Sequence, residues 1–168
     1  DVDSVYNWTV FVNDSLGYGQ ESASLNFSIS SVNAISLVVD NATFSTLSLG
    51  QEDNTTDNSP NPVRVRNDGN IRLNISVHAN QSLWIRKPLN TTFYMMAAGN
   101  FSTQTESFNW SGSAQSFTNV TNVSQYIIKQ LEFNATKNTG EIEVSVTTPF
   151  DEPDGAKESF LMLQSVWY

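Results

Sequence analysis

The chain has 168 residues and a formal net charge of −9, from 8 Lys plus Arg against 17 Asp plus Glu. This acidic balance argues against nucleic-acid binding, because no basic stretch could neutralise phosphates. The sequence has no Cys, which excludes disulfides, thiolate metal sites and cysteine catalysis. No apolar run approaches the roughly 20 residues of a membrane-spanning helix, so no transmembrane segment is expected.

Residues 1–30 predict two strands, 5–13 and 23–30, joined by a Gly-containing loop. In the first strand Tyr6, Trp8, Val10 and Val12 alternate along one face, so Trp8 is expected in a core. A two-stranded hairpin cannot bury a core alone. We therefore interpret 1–30 as the N-terminal β-hairpin of an incomplete module. It must pair with residues 31–168, with another chain or with upstream protein.

Residues 31–168 predict one β-sandwich domain, because period-2 alternation dominates and helical periodicity is nearly absent. Asp68-Gly69 between two alternating runs predicts a hairpin turn. Residues 124–133 fit either a strand or a short helix, with a helix favoured at the start. The remaining predicted strands are 34–40, 43–49, 62–67, 70–78, 82–86, 92–97, 106–111, 141–148 and 158–167.

The C-terminal stretch SFLMLQSVWY is apolar on both faces. Phe160, Met162 and Val166 fall on one face, and Leu161, Leu163 and Trp167 on the other. Such a strand is expected to be buried on both sides. It is therefore either a central strand of this domain or a strand buried against a neighbouring subunit.

Asn-x-Ser/Thr triplets, the acceptors of N-linked glycans, are about threefold enriched. With 19 Asn and 37 Ser plus Thr in the chain, shuffling would give roughly four triplets. The sequence has 13. This excess predicts dense N-glycosylation, hence passage across a membrane and an extracellular, cell-surface location. The acceptors are Asn7, Asn13, Asn26, Asn41, Asn54, Asn74, Asn80, Asn90, Asn100, Asn109, Asn119, Asn122 and Asn134.

Strand alternation supports use of four of these acceptors. A glycan must point to solvent, and alternate residues of a half-buried strand face outward. Asn7, Asn13, Asn26 and Asn74 all fall opposite the apolar residues of their predicted strands. Covalent N-linked glycans are therefore the only non-protein groups that we expect.

No catalytic residue is predicted, and the protein is not expected to be an enzyme. His78 is the only histidine, and its parity places it outside, so a catalytic triad has no support. The acidic loops at 52–57 and 151–154 lack the 12-residue spacing of an EF-hand and are interpreted as solvated turns. No metal or other cofactor is expected. If calcium were bound, Asp53 and Asp57 would be the ligands.

Three stretches resemble parts of two known cell-surface modules. With Tyr6, Trp8, Asp14, Gly17, Phe27 and Ile29, residues 1–30 resemble the last two strands of immunoglobulin-like repeats in archaeal and bacterial surface proteins. Residues 44–86 and 140–168 resemble a β-rich domain near the C-termini of secreted archaeal surface proteins. The resemblance implies an antiparallel immunoglobulin-like β-sandwich, an envelope or appendage role and no enzymatic activity.

These observations predict a structural subunit of an extracellular assembly: a filament, a sheath or a surface layer. Copies of the chain would be its partners, joined head to tail by β-strand pairing through residues 1–30, with neighbours at the cell surface as a further class. The alternative is an adhesin or ligand-binding module of a larger cell-surface protein.

Overall fold

The computed structural model describes residues 3–168, and Asp1 and Val2 of the predicted hairpin lie outside this range. The chain divides into two compact units, one ending at Val32 and one running from Asn33 to Tyr168. Both are built from antiparallel strands, so the all-β prediction is confirmed. The helical content of residues 3–168 is one short 3-10 turn, Trp110–Gly112. No helix in that part of the chain is long and apolar enough to cross a membrane.

The first unit is a long β-hairpin. Asp14 shapes its turn: its Oδ1 accepts the N–H groups of Leu16 and Tyr18, each at 2.9 Å. Gly17 supplies the left-handed conformation there, with φ 86°. Its strands are β1 (Ser4–Trp8), β2 (Phe11–Asn13), β3 (Gly19–Glu21) and β4 (Leu25–Ile29), with β1 paired to β4 and β2 to β3.

The hairpin is interrupted where one continuous strand, 5–13, is predicted. The Ser22 hydroxyl accepts the Val10 N–H at 2.9 Å, and the Ser22 N–H donates to the Val10 carbonyl. A side chain thus replaces one ladder bond, and Thr9 and Val10 belong to no strand. Alternation cannot be carried across this break, so the predicted face of Asn13 does not follow from that of Asn7.

The second unit has a larger sheet with β12 at its centre. Along one edge β12 pairs with β9. Its other edge is shared by β7 and β6. The order is β10-β9-β12-β7-β5, with β6 beside β12. The strands are β5 (Ile35–Val39), β6 (Glu52–Asn54), β7 (Val63–Asn67), β9 (Tyr94–Gly99), β10 (Thr118–Asn119) and β12 (Thr139–Thr147).

The smaller sheet places β8 (Leu73–Ala79) between β11 (Gln125–Leu131) and β13 (Leu161–Trp167). Both sheets contribute to one core, as the sequence pattern requires: the inward residues Leu73, Ile75 and Val77 have no exposed surface. They meet Val65 and Met96 of the larger sheet. Two antiparallel sheets around a common core are consistent with the predicted β-sandwich.

The turn at Asp68-Gly69 does not close a hairpin, so that prediction is wrong. β7 and β8 lie in different sheets. The buried Asn67 directs the crossing: its Nδ2 donates to the carbonyls of Ile71 and Leu131, and its Oδ1 accepts the Gly69 N–H. Two alternating runs joined by a tight turn have the same sequence pattern whether the two strands pair in one sheet or face each other across a core.

Three predicted strands, 43–49, 82–86 and 106–111, are not strands. Their apolar residues pack without ladder pairing. Phe44 and Leu47 rest against the core from an irregular segment. Trp84 is buried in a loop held by its Nε1–H bond to the Phe93 carbonyl, 2.8 Å. Asn109 caps the 3-10 turn by accepting the Gly112 N–H.

The helix favoured at the start of 124–133 is also wrong, because β11 occupies this stretch. The run Tyr126-Ile127-Ile128 suggests no alternation because β11 bulges twice against β8. Three short strands, β3, β6 and β10, were not predicted. The residues of β6 and β10 are all polar, and both strands are added to neighbours that supply the apolar side chains.

Candidate functional site

The hairpin has no buried side chain among residues 3–32. Trp8 is 48% exposed and Phe27 52%, so the expectation that Trp8 lies in a core is wrong. The reason is that β1 and β4 pair only with each other among the described strands. The apolar alternation is present, but no second layer covers it.

The two faces of the β1–β4 ribbon differ sharply. On one face Tyr6 lies opposite Phe27, with ring centroids 5.2 Å apart and planes 16° from parallel. On the other face Asn7 lies directly opposite Asn26, and both are exposed glycan acceptors. One side of the ribbon therefore offers apolar surface, and the other offers two attachment points. We call the first side the apolar face: Tyr6, Trp8, Leu25, Phe27 and Ile29.

Covering the apolar face would stabilise the hairpin considerably. Full burial of a large apolar side chain contributes about 1.5–3 kcal/mol, and four of these five residues are between 38% and 52% exposed. Covering the remainder would contribute roughly 1 kcal/mol per residue on the same scale. An isolated two-stranded ribbon is marginal in water, so this surface is the strongest indication of a partner in residues 3–32.

A second open surface is the strand β13. It pairs with β8 alone among the described strands, so it is an edge strand, and its interpretation as a central strand is wrong. Leu161 and Leu163 face inward and pack on the core. Phe160, Met162 and Val166 are 52%, 47% and 42% exposed. The outer face is thus exposed, and the inner face is half-buried at Leu161 and Leu163 but exposed at Trp167.

One point on the open side of β13 is held by a neighbouring side chain. Asn33 Nδ2 donates to the Ser165 carbonyl at 3.2 Å, and the Ser165 hydroxyl donates to Asn33 Oδ1 at 2.6 Å. Since this carbonyl points away from β8, the alternation of an antiparallel pair turns the backbone groups of Leu163 and Leu161 to the same side. These groups are positioned to receive another strand.

A groove with a volume of about 1030 Å³ runs beside β13. Leu161 and Leu163 form one wall, Leu37 and Val63 of the larger sheet lie in its floor, and the irregular segment 40–49 forms another wall. Leu37 is 47% exposed although it sits on the sheet. The groove exists because the smaller sheet ends at β13 while the larger sheet continues to β5.

Glu152 anchors the acidic loop at one end of the groove. Its two carboxylate oxygens accept the N–H groups of Ile85 and Arg86, both at 2.9 Å, and Lys157 Nζ lies 3.4 Å away. Burial alone would raise the pKa of Glu152, but these hydrogen bonds and the Lys157 charge outweigh it and hold the pKa below its ordinary value. This carboxylate is structural and fixes the 85–86 backbone.

The thirteen glycan acceptors are all at least partly accessible. Nine are exposed, and four are half-buried: Asn54, Asn74, Asn109 and Asn119. Asn74 lies on the outer face of β8, as the alternation predicts, and its Oδ1 accepts the Gln130 N–H at 3.0 Å. Asn119 Nδ2 donates to Asn90 Oδ1 at 3.4 Å, so the nitrogen that would carry a glycan on Asn119 contacts a second acceptor side chain.

Three acceptors form local turns with the hydroxyl of their own triplet. Asn54 Oδ1 accepts the Thr56 hydroxyl, Asn134 Oδ1 accepts that of Thr136, and Asn109 Oδ1 accepts that of Ser111. In the first two, Oδ1 also accepts the backbone N–H of the same Thr. This is the local bonding that makes Asn and Thr frequent in turns. It uses the amide oxygen of each acceptor, and in Asn109 the nitrogen that would carry a glycan also donates to Gln130 Oε1 at 3.5 Å.

A polar cluster lies on the outer face of the larger sheet. Arg64 pairs with Glu141 at 2.7 Å and stacks on Phe101, with its guanidinium 4.2 Å from the ring centroid. Burial raises the pKa of Glu143 above its ordinary value, opposed by the bond from the Thr55 hydroxyl and supported by the nearby Glu141 charge. The cluster holds Thr55 against the sheet, and its two carboxylates are engaged in these contacts.

Each of the two candidate calcium ligands makes a local hydrogen bond to the backbone. Asp53 Oδ1 accepts the Asn54 N–H, and Asp57 Oδ1 accepts the Ser59 N–H. Across residues 3–168, no group of three or more His, Asp or Glu side chains forms a metal site. His78 Nδ1 lies 3.1 Å from the Ser124 hydroxyl.

Comparisons with protein-family models, curated proteins and solved structures found no match to this chain.

Proposed function

We propose that the protein is a structural subunit of an extracellular, N-glycosylated assembly, in which copies of the chain join in series through β-strand pairing. One observation carries the proposal: the hairpin presents five partly exposed apolar side chains on one face and two opposed glycan acceptors on the other. A surface built in this way needs a protein cover on its apolar face and solvent on its opposite face.

Pairing between copies explains why the chain carries two different open surfaces. The hairpin and the β13 edge are not alike, so a contact between them is head to tail and leaves one of each free at the ends of the assembly. Such a contact propagates as an open polymer. Main-chain hydrogen bonds add strength without disulfides, which suits a chain that has no Cys.

The acceptor density supports the extracellular part of the proposal. N-linked glycans are added only to chains that leave the cytoplasm, and none of the 13 acceptors is buried. Glycans at these positions would shield the sides of the assembly. The proposal includes an immunoglobulin-like topology for the two-sheet unit and an origin among archaeal surface proteins, both supported by the sequence resemblance.

A second candidate function is an adhesin or ligand-binding module of a larger surface protein. The groove beside β13 favours it, because its volume of about 1030 Å³ lies at the upper end of small-molecule sites, roughly 300–1,000 Å³. In this alternative the groove holds a ligand and the hairpin is covered by other parts of the larger protein.

Electron microscopy of the intact chain and of a variant that lacks residues 1–32 separates the two. We expect ordered polymers from the intact chain and folded monomers from the truncated one, because the second unit has its own core. The double variant Asn7→Gln, Asn26→Gln is the matched control and should still polymerise. Assembly of the truncated chain, or monodisperse intact chain that binds a ligand, would contradict the proposal.

Glycopeptide mass spectrometry tests the glycan part. We expect most of the 13 acceptors to be occupied, and fewer than about five occupied sites would contradict the interpretation of the triplet enrichment.

A further inference from the structure

We propose that strand β4 of one copy adds to the open edge of β13 in the next copy and lays the apolar face of its hairpin into the groove. This inference rests on the proposed function and names the recipient surface. The smaller sheet has three strands, whereas the main path of the larger sheet has five. Addition of β4 and its partner β1 would extend the smaller sheet to five strands and cover the part of the larger sheet that is open at Leu37.

The glycan acceptors fix which face of the added strand points inward. Asn26 on β4 and Asn7 on β1 lie opposite the apolar face, and Asn74 lies on the outer face of β8. When the apolar face enters the groove, Asn7 and Asn26 come to the same outer surface as Asn74. The opposite orientation would bury two acceptors and leave the whole apolar face exposed, so only one orientation satisfies both requirements.

The strand β4 is a better match to β13 than β1 is. Its three inward positions, Leu25, Phe27 and Ile29, are all apolar, whereas the corresponding positions of β1 begin with Ser4. The Ile29 carbonyl accepts the Asp3 N–H, so the backbone groups of Leu25, Phe27 and Ile29 point to β1, and those of Asn26 and Ser28 point to the open edge of β4. With the apolar face inward, these groups meet the open groups of Leu161 and Leu163 only if β4 runs parallel to β13. We assign this direction, which places Phe27 beside Leu163 and Leu25 beside Leu161.

This register also explains why the groove is large. An added strand needs space for side chains from both β4 and β1, including the rings of Phe27, Tyr6 and Trp8. The volume of about 1030 Å³ suits such a row of side chains, and its open side faces the β13 edge that would bond the strand. Main-chain bonding to an exposed edge with alternate side chains in pockets is an established mode of peptide recognition.

Disulfide trapping between copies tests the inference directly, since the chain has no Cys of its own. In the parallel register, the exposed Ser24 lies beside the exposed Phe160, and neither belongs to a glycan-acceptor triplet. The full chain carrying Ser24→Cys is mixed with the full chain carrying Phe160→Cys, allowed to assemble and oxidised. We expect a disulfide-linked dimer at several times the yield of the matched control, Ser24→Cys mixed with Thr103→Cys in an exposed loop.

The outcomes distinguish this inference from the proposed function. Polymers that form normally but give no more Ser24–Phe160 disulfide than the control would overturn the β13 site and leave the structural role standing. A disulfide with Val166→Cys in place of Phe160→Cys would overturn the parallel direction. Absence of polymers from the intact chain would overturn both. A disulfide within single chains that carry both Ser24→Cys and Phe160→Cys would show that the hairpin pairs with its own copy and would also overturn the inference.

Discussion

The hairpin and the two-sheet unit share the same alternating pattern but differ completely in burial. In β8, Leu73, Ile75 and Val77 have no exposed surface, while in β4 Leu25 and Phe27 are about half exposed. The β8 residues face a second sheet, and the β4 residues face no strand layer of their own unit. Alternation therefore identifies the face of a strand that packs against another layer. It does not identify the residues that form that layer.

The largest expected difference between the units is their response to loss of an apolar side chain. Ile75→Ala should lower the free energy of unfolding by about 2–5 kcal/mol, because it leaves a cavity in a closed core. In the monomer, Phe27→Ala should change it by less than about 0.5 kcal/mol, as is usual for exposed positions. Urea unfolding of dilute protein measures both.

For assembly, the hairpin position should matter more than the core position. Phe27→Ala should prevent polymerisation, measured by sedimentation, while a milder core variant such as Ile75→Val should still assemble. Equal destabilisation of the monomer by Ile75→Ala and Phe27→Ala would show that the hairpin has a core that its exposure does not reveal.

The next effect concerns the charged cluster of the larger sheet. Arg64→Met should lower the free energy of unfolding by roughly 2 kcal/mol, because it leaves the buried Glu141 carboxylate without its cation. The double variant Arg64→Met, Glu141→Met should recover much of this loss. Thermal unfolding of the two variants is the measurement, and an Arg64→Met variant as stable as the parent chain would contradict the prediction.

Acid should weaken the two-sheet unit through Glu152. Because the folded-state pKa of Glu152 is held below its unfolded value, its stabilising contribution is present above the ordinary Glu pKa of about 4.3 and is lost as the pH falls through the folded-state pKa. Glu152→Gln should lower the melting temperature at pH 7 and flatten its decline below about pH 4.5. An unchanged acid profile in this variant would refute the assignment.

The smallest effect has the opposite sign and comes from Glu143. Its raised pKa means that its ionised form is disfavoured in the folded state. The free energy of unfolding therefore falls as the pH rises from the unfolded-state pKa of Glu143 through its folded-state pKa. Glu143→Gln keeps an acceptor for the Thr55 hydroxyl and removes the charge. We expect a melting temperature higher by a few degrees at pH 7 and no gain at pH 4. A lower melting temperature at pH 7 would contradict this.

The sequence predicts the faces of strands better than their partners. The inward set Leu73, Ile75 and Val77 and the outward Asn74 follow from alternation alone, as does the all-β class. The crossing at Asp68-Gly69 does not, because it depends on the buried Asn67 amide binding the Leu131 carbonyl 64 residues away. A contact of that range leaves no local pattern.

The candidate interface was only partly predictable, because part of it also depends on contacts that are distant in sequence. The uncovered face of the hairpin and the unusual apolarity of the C-terminal strand are visible in the sequence. The groove beside β13 is not, because it arises where 43–49 fails to form a strand although Phe44 and Leu47 alternate like strand residues. Whether such side chains pair in a ladder or pack from an irregular segment is decided by neighbours distant in sequence.

Hydrogen exchange of the dilute monomer and of the assembled protein tests the central claim most directly. If the hairpin is held by the next copy, the amides of Leu25–Ile29 and the open-edge amides of β13 should exchange rapidly in the monomer and be protected in the assembly. The amides of Leu73–Ala79 should be protected equally in both. Strong protection of Leu25–Ile29 in the monomer, or rapid exchange of the same residues in the assembly, would contradict the account.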